Sequence, residues 1–198
     1  MAAVLLLYAT GEGQTAKVAD RIAGALGSRG HEVTVVDVER VPPDLSVAAF
    51  DGVLVGSSIH LGRHPERIHE FVRDAREALA ERPSAFFQVC LSAAAEDPER
   101  RAEADRYVEE FVAGTGWRPD RTAVFAGALR YSQYGFLKRA MMKRVAADMG
   151  GDTDTDRDHE YTDWAAVEGF ASAFADLLEG ETGEVARSGR GDEPPVIV

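Results

Sequence analysis

A glycine-rich loop stands between the first apolar run of the chain and the first helical pattern. The apolar run is Ala3–Tyr8, and the helical pattern begins near Gln14. Backbone N–H groups and hydroxyls at a helix N-terminus bind phosphate, because the helix dipole favours an anion there. The sequence therefore predicts a strand–loop–helix unit with a phosphate site formed by Thr10, Gly11, Glu12, Gly13, Gln14 and Thr15.

Short apolar runs alternate with helical patterns along the rest of the chain. This alternation is typical of an α/β protein, in which helices cover a parallel sheet. The predicted strands are Ala3–Tyr8, Glu32–Asp37, Gly52–Gly56, Ser84–Cys90 and Thr122–Gly127. The predicted helices are Gln14–Ser28, Glu66–Glu81, Pro98–Gly114 and Asp163–Leu178. Right-handed crossovers then give a doubly wound five-stranded parallel sheet with helices on both faces.

Two segments depart from this alternation. A direct connection from the fifth strand to the last helix needs only a few residues, yet residues of about 130–162 lie between them. We interpret this segment as a helical insertion after strand five. The last residues are polar and glycine-rich, which predicts a disordered tail over 181–198. Residues 1–180 form one domain, since a chain of 198 residues is too short for two full cores.

Charge and cysteine content exclude several classes of function. The formal net charge of −12 argues against a nucleic-acid groove. Cys90 is the only cysteine of the sequence, so there is no disulfide framework, and a reducing cytoplasm is expected. It lies in an apolar run, which predicts a place in the core. No apolar stretch approaches the roughly 20 residues that a membrane span needs.

Acidic residues alternate from Asp152 to Glu160 in a pattern similar to a calcium loop. Arg157 stands where such a loop needs its turn glycine. The five histidines show no metal-ligand spacing. We therefore predict a solvated loop and no metal site.

The phosphate loop fits two kinds of cofactor, flavin mononucleotide (FMN) and a dinucleotide. Gly11, Gly13 and Ala16 match the dinucleotide fingerprint, and Asp37 ends the second strand where a ribose-binding acid is expected. A Walker loop is excluded, because no Gly-Lys-Ser/Thr follows at the required spacing. The loop alone supports FMN and a dinucleotide about equally.

The other strand ends favour FMN. In a doubly wound sheet the ligand binds beyond the carboxyl ends of the strands, and the loops there are rich in small residues that let backbone approach a flat ring. No residues remain for the substrate domain of a dinucleotide enzyme. Besides the phosphate loop, the predicted FMN-binding residues are Ser57, Ser58, Ile59, His60 and Leu61, then Leu91, Ser92, Ala93 and Ala94, then Gly127, Ala128, Leu129, Arg130 and Tyr131.

Basic residues concentrate in the insertion, where five occur from Arg130 to Arg144 without one acid. A helix over about Tyr134–Met149 would align an apolar stripe of Leu137, Met141, Val145 and Met149. In one interpretation the stripe packs on the domain and the charges are solvated. In the other, the segment is a basic amphipathic surface for an anionic, apolar partner.

Longer motifs carry a resemblance to a known family. They are the loop Thr-x-x-Gly-Gln-Thr at 10–15, Gly-x-Ser-Ile at 56–59, Trp-Arg-Pro-Asp-Arg at 117–121, Ala-Gly-Ala-Leu-Arg-Tyr at 126–131, Gly-Gly-x-Thr-Asp-Thr at 150–155 and Tyr-Thr-Asp-Trp at 161–164. Together they resemble the flavodoxin-like, menaquinone-dependent protoporphyrinogen oxidase family, over about Ala3 to Leu178.

The resemblance implies a flavodoxin-like fold, FMN as cofactor, and oxidation of protoporphyrinogen IX to protoporphyrin IX with menaquinone as acceptor. It ties the insertion to porphyrinogen oxidation. The anionic, apolar partner of the basic segment would then be either a membrane interface that holds a quinone, at the inner face of the cell membrane, or a porphyrin with its propionates. The candidates for orienting the substrate are Arg130, Tyr131, Lys138, Arg139 and Lys143. The loops after strands three and four carry no aromatic residue besides His60, so Tyr131 or Tyr134 is expected to border the flavin. No catalytic base is identified.

Two other functions stay open at this point. A flavodoxin-type electron carrier would dock its partners through an acidic face, but has no use for a basic amphipathic segment near the flavin. A flavin-dependent NAD(P)H:quinone reductase would be reduced rapidly by NADPH.

Overall fold

The computed structural model describes residues 1–148, 153–183 and 196–197. The strands of its main sheet are β1 (Ala3–Ala9), β2 (Glu32–Asp37), β3 (Gly52–Ser58), β4 (Ser84–Cys90), β5 (Arg121–Ala126) and β8 (Val196–Ile197). The sheet is parallel throughout and has the strand order β2-β1-β3-β4-β5-β8. The first five strands confirm the predicted doubly wound α/β sheet, and the two-residue β8 extends it beside β5.

Central strands of the sheet are buried on both sides, which accounts for their unbroken apolar sequences. Every residue of β4 is buried, and β3 is buried up to Ser57. At Gly56 of β3 a Cβ would come within 2.1 Å of the Phe87 ring of β4, so only glycine lets that ring pack against β3 here.

Helices cover both faces of the sheet. They are α1 (Gln14–Ser28), α2 (Glu66–Asp74), α3 (Arg76–Ala80), α4 (Pro98–Thr115), α5 (Phe136–Asp148) and α6 (Trp164–Gly183). Apolar residues of α1 and α6 share one core with one face of the sheet. Those of α2, α3 and α4 share a second core with the opposite face. The helices predicted over Glu66–Glu81 and Asp163–Leu178 differ in extent, since the first is interrupted at Ala75 and the second continues to Gly183.

The insertion after β5 has its own small core. Its two ends pair as an antiparallel ribbon of β6 (Ala128–Leu129) and β7 (His159–Glu160). Between them lie a 3₁₀ turn, Tyr131–Gln133, and helix α5. Side chains buried together inside the segment are Leu129, Tyr131, Tyr134 and Ala146. The insertion is therefore a folded element of its own.

Part of the predicted tail belongs to the fold. Residues 181–183 end α6, and Val196–Ile197 pair with Arg121 and Thr122 of β5. Residues 184–195 and 198, on which the prediction of disorder also rests, lie outside the described residues, as do Met149 and Asp152.

Candidate functional site

A cavity of about 320 Å³ lies at the carboxyl edge of the parallel strands. The loops after β1, β3, β4 and β5 form most of it, and α5 closes one side. Its lining comprises Thr10, Gly11, Glu12, Gln14 and Thr15, then Ser58, Ile59, His60 and Leu61, then Val89, Cys90 and Leu91, then Gly127 and Ala128, and from α5 Lys138, Met141, Met142 and Val145. This is the edge at which doubly wound sheets bind ligands.

The phosphate loop is shaped for an anion. Gly13 adopts φ 87° in the left-handed region, and its N–H donates to Thr10 Oγ1 at 3.0 Å. The hydroxyls of Thr15 and Ser58 are buried and have no hydrogen-bond partner in the described part of the chain. A buried hydroxyl without a partner is costly, so two of them on one cavity fit a ligand that accepts hydrogen bonds, as a phosphate group does.

The loop after β3 forms one rim of the cavity. His60 and Arg63 bridge each other through backbone hydrogen bonds, and the two residues between them have positive φ, 51° at Leu61 and 76° at Gly62. Two consecutive positive φ values form a type I′ turn, which a leucine adopts only at a cost. The turn leaves the Leu61 side chain 76% exposed at the cavity edge.

Cys90 lies at the floor of the cavity. Gln88, wholly buried beside it, donates from Nε2 to the Ala104 carbonyl at 3.0 Å and to Cys90 Sγ at 3.4 Å. Burial raises the pKa of the Cys90 thiol, which keeps it neutral. The residue thus combines the predicted core packing with a place on the cavity wall.

Glu12 of the phosphate loop holds the first turn of α5. Lys138 Nζ lies 2.7 Å from Glu12 Oε1, and the Tyr134 hydroxyl donates to Glu12 Oε2. The Lys138 ammonium also lies over the Tyr134 ring, 4.7 Å from its centroid. Burial and the bond to Glu12 raise the pKa of Tyr134, so its hydroxyl stays protonated as a donor.

A second set of contacts fixes the base of the insertion. Arg130 Nη2 donates to Gln14 Oε1 at 2.9 Å, and Gln14 Nε2 donates to Thr162 Oγ1 at 2.8 Å. Glu160 of β7 accepts from Lys17 of α1 at 2.9 Å. The acids that resemble a calcium loop serve similar contacts, since Asp158 accepts from the backbone N–H and the hydroxyl of Ser132 at 2.8 Å each.

Most of the predicted cofactor-binding residues meet at the cavity, but several do not. Gly13, Ser57, Ser92, Leu129 and Arg130 do not line it. Ala93 and Ala94 line a separate recess beside β5. Among the substrate candidates only Lys138 lines the cavity. Arg139 donates to the Tyr131 carbonyl, and Lys143 is exposed.

Neither tyrosine of the insertion borders the cavity. Tyr131 is fully buried, with its ring against Tyr134 and His159, and Tyr134 is buried beside it. The structure therefore places neither tyrosine where the sequence predicted it, at the border of a flavin bound in the cavity. Their rings fill the core of the insertion together with Leu129 and Ala146.

Met141, Met142 and Val145 line the cavity instead. The predicted stripe included Met141 and Val145. Helical spacing predicts that these residues share one face of the helix, but it does not predict which surface that face packs against. Leu137, on the same stripe, is 82% exposed. Val89 and Cys90 were also missed as lining residues, because a buried strand end has the same sequence as the rest of its strand.

The chain is similar in sequence to known proteins over most of its length. The sequence pattern of the family described as Flavodoxin domain matches residues 5–156. Protoporphyrinogen IX dehydrogenase (quinone) of Escherichia coli (strain K12) is 37% identical over 179 residues, which cover 90% of this chain and 97% of that protein. A protein of the same name from Leishmania major is 36% identical over 174 residues, covering 87% of this chain and 74% of that protein.

Solved structures share the fold at low sequence identity. The alignment with oxidised flavodoxin 1 from Bacillus cereus covers 88% of this chain and 97% of that chain, with a TM-score of 0.54 and 19% identity. The alignment with a cysteine-to-serine variant of a flavodoxin from Pseudomonas aeruginosa covers 90% of this chain and 99% of that chain, with a TM-score of 0.56 and 17% identity.

Proposed function

The chain belongs to the flavodoxin domain family, and from this premise we propose that it is an FMN-dependent oxidoreductase that oxidises protoporphyrinogen IX and passes the electrons to a quinone. The observation that carries the proposal is the cavity itself. It joins a phosphate loop that has two unpartnered buried hydroxyls to an apolar space closed by α5. The substrate and the acceptor follow the names of relatives that align over nearly the whole chain.

The residues of the cavity fit FMN. The phosphate group would accept hydrogen bonds from the Thr15 and Ser58 hydroxyls and from N–H groups of the loop, whose glycines allow close approach. The apolar side chains of Ile59, Val89 and Leu91 suit the faces of a flat ring. FMN, when bound, supplies the redox chemistry by taking up two electrons with a proton and giving them to a second substrate.

The protein contributes position and exclusion of water. Met141, Met142 and Val145 cover one side of the cavity, which lowers the local dielectric and keeps bulk water from the reacting ring. Burial raises the pKa of the Cys90 thiol, which therefore stays neutral and adds no charge to the cavity wall. Protons released by the substrate would pass to solvent at the open rim beside His60.

The cations available for substrate propionates are fewer than the sequence predicts. Arg130, Lys138 and Arg139 are engaged with Gln14, Glu12 and the Tyr131 carbonyl. Lys143 and Arg144 are exposed and form no ion pair within the described residues. We assign propionate binding to these two residues, which are carried by the same helix that lines the cavity.

An apolar surface adjoins these two cations. Phe136 and Leu137 are 86% and 82% exposed at the start of α5, and Met141 is half exposed at the cavity. No helix in the described part of the chain is long and apolar enough to cross a membrane. We propose a peripheral contact of α5 with an anionic bilayer, which would bring the cavity to the site where a quinone dissolves.

The proposal is tested by turnover with protoporphyrinogen IX and a menaquinone analogue under anaerobic conditions. The purified protein should carry FMN, release protoporphyrin and form quinol. Arg144→Glu should raise the KM for the porphyrinogen at least about threefold, because it repels the propionates, and should leave the folded state intact. The matched control is Arg118→Glu, which reverses an exposed arginine that precedes β5 and so lies toward the opposite edge of the sheet.

Three results would contradict the proposal. Absence of turnover with every quinone would exclude the enzyme and favour an electron carrier. Rapid bleaching of the flavin by NADPH, with no porphyrinogen oxidation, would favour an NAD(P)H:quinone reductase. Equal KM values for Arg144→Glu and Arg118→Glu would remove Arg144 from the substrate site.

A further inference from the structure

The charges that line the cavity are one carboxylate and one ammonium. Among its described lining residues Glu12 is the only acidic side chain, and Lys138 is the only lysine or arginine. The two come from distant parts of the chain, since Glu12 lies in the phosphate loop and Lys138 in the insertion. Their charged atoms are 2.7 Å apart.

Glu12 is an unfavourable residue for a phosphate loop. The loop from Thr10 to Thr15 contains no lysine or arginine, so its own hydrogen-bond donors are neutral hydroxyl and N–H groups. A carboxylate within this loop repels a phosphate monoester, which carries close to two negative charges at neutral pH. The repulsion acts beside a partly enclosed cavity, where water screens it less than at an open surface.

The insertion supplies the charge that the loop lacks. Lys138 Nζ binds Glu12 Oε1, and the Tyr134 hydroxyl donates to the second oxygen, so both carboxylate oxygens are engaged. The Glu12 side chain is 26% exposed and that of Lys138 is 42% exposed, which places the pair at the boundary between cavity and solvent. The ring of Tyr134 lies beneath the ammonium and fixes its position.

We propose that Lys138 is a cofactor-site residue, which neutralises Glu12 and thereby makes the phosphate loop able to accept the phosphate anion of FMN. Docking of the insertion and binding of the cofactor are then coupled through this pair. Lys138 was expected to orient the substrate, and the pairing gives it a different role. The inference rests on the proposed function in taking FMN as the cofactor.

The test compares FMN with riboflavin, which has the same ring and lacks the phosphate. Dissociation constants of both are measured by quenching of flavin fluorescence for the apoprotein and for Lys138→Met, Glu12→Gln and the double variant. Arg118→Met is the matched control, because it removes one positive charge at an exposed residue outside the cavity. Circular dichroism verifies that each variant folds.

Lys138→Met should weaken FMN binding about tenfold, since it leaves the Glu12 charge uncompensated, and should change riboflavin binding less than about twofold. Glu12→Gln should bind FMN at least as tightly as the parent. The double variant should return to within about threefold of the parent, because the carboxylate that needed compensation is gone. Arg118→Met should stay within about twofold of the parent for both flavins.

Several outcomes would overturn the inference. Equal weakening of FMN and riboflavin by Lys138→Met would mean that the lysine acts through packing and not through the phosphate. Failure of Glu12→Gln to restore binding in the double variant, or equal losses in Lys138→Met and Arg118→Met, would exclude charge compensation by this pair. A parent protein that binds no FMN would overturn the proposed function instead, so the two failures are distinguishable.

Discussion

Arg130 and Gln14 are joined by a hydrogen bond of 2.9 Å across 116 residues of sequence. Gln14 begins α1 at the phosphate loop, and Arg130 begins the insertion just after β6. The bond therefore fixes the start of the insertion directly to the candidate cofactor site. It also gives Arg130 a structural partner, where the sequence had suggested a flavin or propionate contact.

Loss of that bond should destabilise the protein. Arg130→Met leaves the amide oxygen of Gln14 without its donor in a side chain that is only 5% exposed, so we expect the free energy of unfolding to fall by about 1–2 kcal/mol. Urea unfolding measures it. Arg144→Met, which removes an exposed arginine of the same insertion, should change stability by less than about 0.5 kcal/mol. Equal effects of the two variants would contradict the assignment.

Removal of the Thr15 hydroxyl should have opposite effects on two properties. Thr15→Val deletes a buried hydroxyl that lacks a partner, so the apoprotein should be as stable as the parent or more stable by up to about 1 kcal/mol. FMN binding should weaken about tenfold, because one donor to the phosphate is lost. Equilibrium unfolding and flavin fluorescence measure the two quantities.

Thr115→Val is the matched control for Thr15. Its hydroxyl donates to the Phe111 carbonyl at 2.8 Å within α4. The control should therefore lose about 1 kcal/mol of stability with unchanged FMN affinity. A Thr15→Val protein that loses stability and keeps its FMN affinity would show that the hydroxyl is structural.

Two glycine substitutions should change stability in opposite directions. Gly56→Ala places a methyl 2.1 Å from the Phe87 ring, which must move within a packed core, so we expect a loss of about 1–3 kcal/mol. Gly24→Ala, at an exposed position inside α1 with no atom within 4 Å of the new methyl, should gain about 0.5–1 kcal/mol. Thermal unfolding of both variants checks the signs. A neutral Gly56→Ala would mean that β3 and β4 adapt freely.

His64 should make stability depend on pH in the acidic range. Burial among Phe86, Phe111 and the backbone of α4 lowers the pKa of His64 from 6.5 to about 4. In this pH range the unfolded chain binds a proton at His64 and the folded protein does not. The free energy of unfolding therefore falls by up to about 3 kcal/mol as the pH drops from about 6.5 to about 4.

His64→Phe removes this titration. Its stability should decline less than that of the parent between these pH values, in guanidinium unfolding series at matched ionic strength. His60→Gln, at an exposed histidine, should keep the parent's slope. The assignment fails when His64→Phe and the parent lose stability in parallel.

The exposed apolar start of α5 should govern contact with a bilayer. Phe136→Ser combined with Leu137→Ser removes two side chains that are almost fully exposed, so stability should change by less than about 1 kcal/mol. Binding to anionic vesicles should fall at least about tenfold, in line with the apolar area lost. Sedimentation with vesicles of neutral and anionic lipid measures it. Undiminished binding would exclude this surface.

The strands and the strand-end loops could be predicted from sequence because each depends on local signals. A buried parallel strand is a short apolar run, and the loop from Thr10 to Thr15 has a spacing that few other structures require. Right-handed connections place the helices on both faces of the sheet. These rules are sufficient to place the cavity at the carboxyl edge of the sheet.

The insertion could not be predicted to the same depth. Tyr131 and Tyr134 each carry an apolar ring with a polar hydroxyl, so the sequence does not indicate whether they are buried or exposed. The packing around them buries both. Met141 and Val145 share a helical face, but the sequence does not say that this face meets the cavity. The ribbon of β6 and β7 has two residues in each strand, too few for an alternating pattern. Each of these features depends on contacts between residues distant in sequence.

The ribbon of β6 and β7 allows the insertion to vary independently of the sheet. It holds the two ends of the insertion side by side, at Ala128 opposite Glu160. A segment whose ends meet in this way can be lengthened, shortened or exchanged while β5 and α6 keep their places. The insertion is therefore a module, and its transfer into another sheet of this kind requires a recipient with partners such as Glu12, Gln14 and Lys17 at the phosphate loop and the first helix.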